Sequence, residues 1–234
     1  MRRVCGADGC RAGWYGVCKN LDSGEVTGQV YRGIYELVFR QSEPLMLAID
    51  IPIGLPDAGA RQCDRAARRI LKPGRASSVF PAPIRPLLAA GSYQEACQIR
   101  LAVDGRKISK QLWQILPKIR EIDDLLLQNV RLQTRLREVH PELSFTALND
   151  GKPMAFWKKR PEGFAERLPL LKGHFGDAVE QALATRNPAE CSPDDVLDAF
   201  AALWTAERIV RGEAQVLPEQ PEKDRFGLRM EMVY

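Results

Sequence analysis

The chain has few of the residues that soft metal sites need. It holds two histidines, His140 and His174, and its six cysteines at positions 5, 10, 18, 63, 97 and 191 form no C-x-x-C pair. Structural zinc sites draw on closely spaced cysteine and histidine, so a zinc-held fold is not expected. There is no G-x-x-x-x-G-K-S/T phosphate loop, no G-x-S-x-G elbow and no H-E-x-x-H helix, so the sequence offers no competing catalytic set of those kinds. No apolar run is long enough to span a bilayer, and Met-Arg-Arg-Val leads straight into a strand-like segment without an apolar signal stretch. The expectation is a cytoplasmic protein with reduced thiols and no membrane association.

What remains is ordinary for a globular chain. Its 234 residues are 45% hydrophobic and 27% charged, enough for one large domain with a substantial core. The net charge of +4 permits an anionic partner without demanding one. No internal repeat or low-complexity tract divides the chain.

Residues 4–7, 14–19 and 26–31 read as strands separated by turns at 8–13 and 22–24, and 34–40 as a short helix. The run 45–51 is apolar except for Asp50, the mark of a strand buried on both faces. From 61 to 130 the pattern turns helical, broken by the proline- and serine-rich stretch 72–86. Strand character returns over 136–145. Helices are expected over 163–171, 177–184 and 193–210, and an edge strand or packed tail over 227–234. This order predicts an α/β fold: a mixed five-stranded sheet flanked by helices, one domain over 1–234 with a helical insertion at about 56–130.

Carboxylates carry the chemistry. Asp50 ends the run Leu-Ala-Ile-Asp-Ile-Pro-Ile-Gly at the carboxyl end of a buried strand, where ligand sites of sheet-centred folds gather. A lone charge there costs several kcal/mol unless paired or metal-bound. Asp8 closes the first strand beside glycines, a turn suited to a metal or simply to a hairpin. Ser192 and Pro193 start a helix, and Asp194 and Asp195 suit its first turn. Asp198 lies beyond that turn on a helix that is apolar nearly all round, so capping does not account for it. Its i, i+3 spacing puts it on one face with Asp195. Strand alternation sends Glu138, His140 and Glu142 to one side, and Glu138 is a further candidate ligand.

Acidic ligands with almost no histidine suit hard cations, Mg²⁺ or Mn²⁺. Two such ions can activate water and stabilise the leaving oxygen in phosphodiester cleavage. The basic stretch Arg61, Arg65, Arg68, Arg69, Lys72 and Arg75, with Ser77 and Ser78, is either a phosphate grip or a solvated helix face. Lys107, Lys110, Lys118 and Arg120 extend its character, though Lys118 with Glu121 and Asp123 also suits surface pairing.

Six blocks resemble one family in order along the chain. They are Gly6-Ala7-Asp8-Gly9-Cys10-Arg11-Ala12-Gly13-Trp14, Ala48-Ile49-Asp50-Ile51-Pro52-Ile53-Gly54-Leu55, Ser77-Ser78-Val79-Phe80-Pro81-Ala82-Pro83, Glu138-Val139-His140-Pro141-Glu142-Leu143-Ser144-Phe145, Asp194-Asp195-Val196-Leu197-Asp198-Ala199 and Gly227-Leu228-Arg229-Met230-Glu231. The family is domain-of-unknown-function family 429, described as predicted nucleases of ribonuclease-H-like fold. The resemblance implies that Asp8 and Asp50 end the first and fourth sheet strands and that Asp195 and Asp198 are the acidic positions of the final helix. The sequence thus points to a metal-dependent nuclease acting on nucleic acid. Asp8, Asp50 and Asp198 are the expected catalytic set, with Glu138 and Asp195 as further ligands and Arg11, Arg75, Ser78 and Lys118 on substrate. Two other readings share these residues: a catalytically silent nucleic-acid-binding or scaffold protein, and an actin-like phosphotransferase, which ordinarily needs two such domains.

Overall fold

The computed structural model describes residues 2–234. Five strands, β1 (Arg3–Cys10), β2 (Gly13–Asn20), β3 (Val26–Tyr31), β4 (Met46–Ile49) and β5 (Leu136–Glu138), form one mixed sheet in the order β3-β2-β1-β4-β5. β1, β2 and β3 pair antiparallel, and β4 and β5 run parallel to β1. The helices are α1 (Ile34–Phe39), α2 (Gln62–Ile70), α3 (Tyr93–Asp104), α4 (Lys110–Gln128), α5 (Pro141–Leu148), α6 (Pro161–Phe175), α7 (Ala178–Thr185) and α8 (Pro193–Arg211). The molecule is an α/β fold, and α2, α3 and α4 lie in the stretch between β4 and β5.

Two apolar layers cover the sheet, and the period of two along each strand assigns residues to them. Val4, Met46 and Ala48 join the layer built with α8, α6 and α7. Cys5, Ala7, Leu47, Ile49 and Leu136 join the layer built with α1 and α4. Both faces of the central strands are therefore buried, which explains their near-continuous apolar sequence.

Gly6 sets the distance between β1 and α8. A Cβ built there would meet Leu203 N at 2.0 Å and Ala199 O at 2.3 Å, backbone atoms that cannot step aside. Only glycine lets the helix lie this close to the strand. A capping box at Ser192 and Asp195 and Pro193 in the first turn start α8, and Gly212 at φ 73° closes it.

Four expectations are corrected. β1 runs through Asp8 to Cys10, so Asp8 sits in the strand and not in the turn after it. The strand expected over 136–145 stops at Glu138, and α5 begins at Pro141, because proline's fixed φ favours the first helical position. The C-terminal segment is neither an edge strand of the main sheet nor a tail packed on it. β7 (Arg229–Val233) joins β6 (Val216–Lys223) in a separate ribbon, which a single bridge from Val233 to Val139 ties to the segment after β5. β6 contains Pro218 and Pro221, which hide a strand from pattern reading. Finally, Cys5 and Cys18, opposite one another on β1 and β2, are joined in a disulfide, while Cys10, Cys63, Cys97 and Cys191 are free and buried. No helix among the described residues is long and apolar enough to cross a membrane.

Candidate metal centre

Strand register builds the site. Asp8 follows Val4 and Gly6 on the α8-facing side of β1, and Asp50 follows Met46 and Ala48 on the same side just past β4. Ala7 pairs with Ile49, and Asp50 N donates to Ala7 O at 3.0 Å, so the two carboxylates are neighbours on adjacent parallel strands. Close contact at Gly6 brings α8 down over them, and Asp198 lies one residue before Ala199, one of the helix residues packed against Gly6. One carboxylate oxygen from each of Asp8, Asp50 and Asp198 lies within 4.8 Å of the other two.

Burial makes this cluster electrostatically costly. Asp8 is 8% exposed and Asp198 2%. Desolvation raises the Asp8 carboxyl well above its ordinary range, and Asp50, Asp198 and Asp195 push it further, against the pull of Lys158. Desolvation first, then the charges of Asp198 and Glu142, push Asp50 up to about 7 against the same lysine.

Lys158 is the residue that sequence reasoning missed. Its ammonium hydrogen-bonds Asp198 Oδ2 and lies 3.9 Å from Asp194 Oδ2. Burial opposes its charge, but Asp198, Asp8 and Asp50 outweigh that and hold its pKa well above the ordinary lysine value. The sequence signal for it was slight: an aromatic pair, Phe156-Trp157, leading into Lys158-Lys159-Arg160.

Glu142 is the glutamate that the sequence reading weighed beside Glu138 and ranked second. Its Oε1 accepts from Arg167 Nη2 at 2.6 Å, while its Oε2 is buried with no partner among the described residues.

The remaining candidates stand elsewhere. Asp195 Oδ2 accepts from Ser192 N at 2.8 Å as half of the capping box. Glu138 pairs in register with Ile49, so it faces the α4 side of the sheet, away from the triad. There Arg61 grips it at 2.6 and 2.7 Å and also binds Asp64, and burial still pushes Glu138 up to about 7 against Arg61. Arg61, expected either in a phosphate grip or on a solvated helix face, is instead a buried, ion-paired cation.

Arg75 is buried, donating to Met154 O at 2.9 Å and Ala155 O at 2.6 Å beneath the Trp157 ring. Ser78 Oγ donates to Arg75 O at 2.7 Å, and Lys118 donates to Gly13 O and lies 4.8 Å over the Trp14 ring. These three are committed within the fold. Arg11 is exposed and gives one donor to Ala189 O at 2.9 Å.

Fold and site together define an α/β protein in which buried Asp8 and half-buried Asp50, at the carboxyl ends of adjacent parallel strands, meet buried Asp198 of α8 and one lysine. The chain belongs to the family described as "Protein of unknown function (DUF429)", whose model matches residues 6–223. No curated protein and no solved structure matches it.

Proposed function

We propose that this protein is a metal-dependent phosphodiester hydrolase, a nuclease of ribonuclease-H-like fold, working through Mg²⁺ or Mn²⁺ at Asp8, Asp50 and Asp198. The observation that carries the reading is charge. Three carboxylates, Asp8 and Asp198 buried and Asp50 half-buried, face one ammonium. Ionised together they would carry two uncompensated negative charges, and burial with this mutual repulsion raises Asp8 and Asp50 above the ordinary carboxylate range. A divalent cation with oxygen ligands answers that deficit, and no histidine or thiolate stands among the three to favour a softer ion.

The chain's own residues divide the remaining work. Asp8 and Asp50 are fixed by their strands, so their geometry is preorganised before anything binds. Asp198 is positioned by helix packing at Gly6. Glu142, with its bare buried oxygen, is the candidate for a second ion position. Lys158, partly open to solvent, can release Asp198 and donate to a phosphate oxygen. When bound, the metal supplies an activated water and charge stabilisation at the leaving oxygen.

One observation favours a second reading, a catalytically silent nucleic-acid-binding protein: Lys158 already compensates part of the triad. Manganese titration decides between them. The protein should bind Mn²⁺ and, with it, cleave DNA, RNA or short oligonucleotides. Asp50→Asn should weaken Mn²⁺ by more than the roughly 10–100-fold that follows loss of a residue that only orients a ligand. Cleavage that survives Asp50→Asn, or a native protein that takes up no manganese, would sink the hydrolase.

A further inference from the structure

Lys158 also forms the wall between the triad and an open cleft of about 720 Å³. Arg11, Lys159, Arg160 and Arg186 line one part of it, and Phe164 and Leu183 another. Such a volume lies within the roughly 300–1,000 Å³ usual for small-molecule sites.

Its cations are largely uncommitted. The side chains of Lys159 and Arg160 have no hydrogen bond or ion pair among the described residues. Arg186 gives Nη1 to Leu183 O, but its Nε is buried with no partner. Arg186 is half-buried at the edge of the cleft, where its positive charge adds to those of Lys159 and Arg160. Helix α6 opens on the same cleft. Its first turn holds Pro161, which has no N–H, and Glu162, so the charge of the cleft comes from the side chains and not from the helix start. The two acidic residues of the rim, Asp194 and Asp195, are engaged with Ser192 at the start of α8.

The cations alone would fit any phosphate. The apolar wall narrows the class, since Phe164 and Leu183 offer a surface for a flat ring beside the anion site. Bases paired within a duplex cannot present their faces to such a wall, whereas an unpaired base can. We infer that this cleft binds one unpaired nucleoside phosphate, free or at the end of a single strand. The phosphate lies against Arg160, Lys159 and Arg186, and the base against Phe164 and Leu183. This assigns a substrate class to the proposed hydrolase and rests on that reading for the link to cleavage, but the binding step does not need the metal.

The test is calorimetric titration of the full chain at low salt in EDTA, with AMP, a short single strand, a blunt duplex and inorganic phosphate as probes. AMP or the single strand should bind, and the duplex should be at least about tenfold weaker. The tighter of the first two identifies the source of the nucleotide. Arg160→Ala and Arg186→Ala should each weaken the favoured probe by about tenfold and reduce its salt dependence. Phe164→Ala should weaken AMP and leave inorganic phosphate unchanged, with Phe164→Leu intermediate as a check that folding is intact. Absence of binding by both AMP and single strand, equal binding of duplex, or indifference to Arg160 and Arg186 would overturn the assignment. Because EDTA is present throughout, a failure of manganese binding leaves this result standing, and the reverse also holds.

Discussion

Lys158 occupies the position from which a cation neutralises Asp198, and its ammonium hydrogen-bonds that carboxylate while part of the side chain stays in solvent. Among three consecutive cations, Lys158, Lys159 and Arg160, a solvated loop is the ordinary reading. Only the return of that loop toward α8 singles out the first. Asp50 and Asp198, by contrast, were legible because burial left each unexplained by capping or turn chemistry. Asp8 was legible mainly through its family block, since a strand ending in Asp-Gly is also a plain turn. Lys158→Met should therefore do two things. Without metal it should lower stability by about 1–3 kcal/mol, less than the roughly 3–5 for a fully buried pair, because the lysine side chain is 35% exposed. With Mn²⁺ it should raise the melting temperature by more than metal raises that of the unaltered protein, since the internal competitor is gone. Thermal melts with and without Mn²⁺ read both effects, and a smaller manganese shift in the variant would count against Lys158 as that competitor.

Elements were readable where one period ran unbroken. β2, β3 and α8 fall where alternation and helical spacing put them, whereas β5 and β6 do not, and proline is the reason in both. Pro141 was read as part of a strand although it is an N1 signal, so Glu142 was placed beside Glu138 when it belongs to the next helix. The face that Glu138 takes needed the β4–β5 register, which no single segment contains.

Between elements, Glu207 of α8 shows how one carboxylate ties a helix down. Its Oε1 accepts from Lys19 of β2 at 2.7 Å, and its Oε2 lies 2.9 Å from His174 Nε2 of α6. Burial alone would raise its pKa, but His174 and Lys19 together hold it below the ordinary glutamate value. A carboxyl depressed in the folded state stabilises above its unfolded pKa, and that contribution disappears as pH falls through the folded value. Glu207→Gln should thus cost about 1.5–3 kcal/mol at neutral pH. In acid, where folded and unfolded forms both hold the proton, the penalty should shrink toward zero. Urea denaturation of both proteins at neutral and acid pH measures this, and a pH-independent penalty would remove the ionic explanation.

At the scale of the whole molecule, the sheet separates the face that carries the aspartate triad from one that carries buried ion-pair networks. The triad, Lys158 and the cleft lie on the α8 side. On the α4 side, remote segments converge on buried ion pairs, and Asp224 joins most of them. It sits between β6 and β7, where its Oδ1 accepts from Phe226 N at 2.9 Å and Leu228 N at 3.0 Å, making the turn. Its Oδ2 accepts from Leu55 N at 3.0 Å and from Arg85, and Arg85 in turn holds Asp123 of α4 at 2.8 Å with two parallel bonds. The segment after β4, the stretch before α3, α4 and the C-terminal ribbon thus meet at one carboxylate. Pattern reading cannot find such a centre, because each residue taken singly looks like a surface charge. Truncating it leaves Arg85 short of a partner in a buried place and the turn without its acceptor, so Asp224→Ala should cost about 3–5 kcal/mol. Because the network lies across the sheet from the aspartates, the folded fraction should keep its manganese affinity. Urea denaturation with manganese titration at a temperature where the variant stays folded tests both halves. Loss of manganese binding in step with stability would show that the two faces are coupled, and the division of labour across the sheet would then fail.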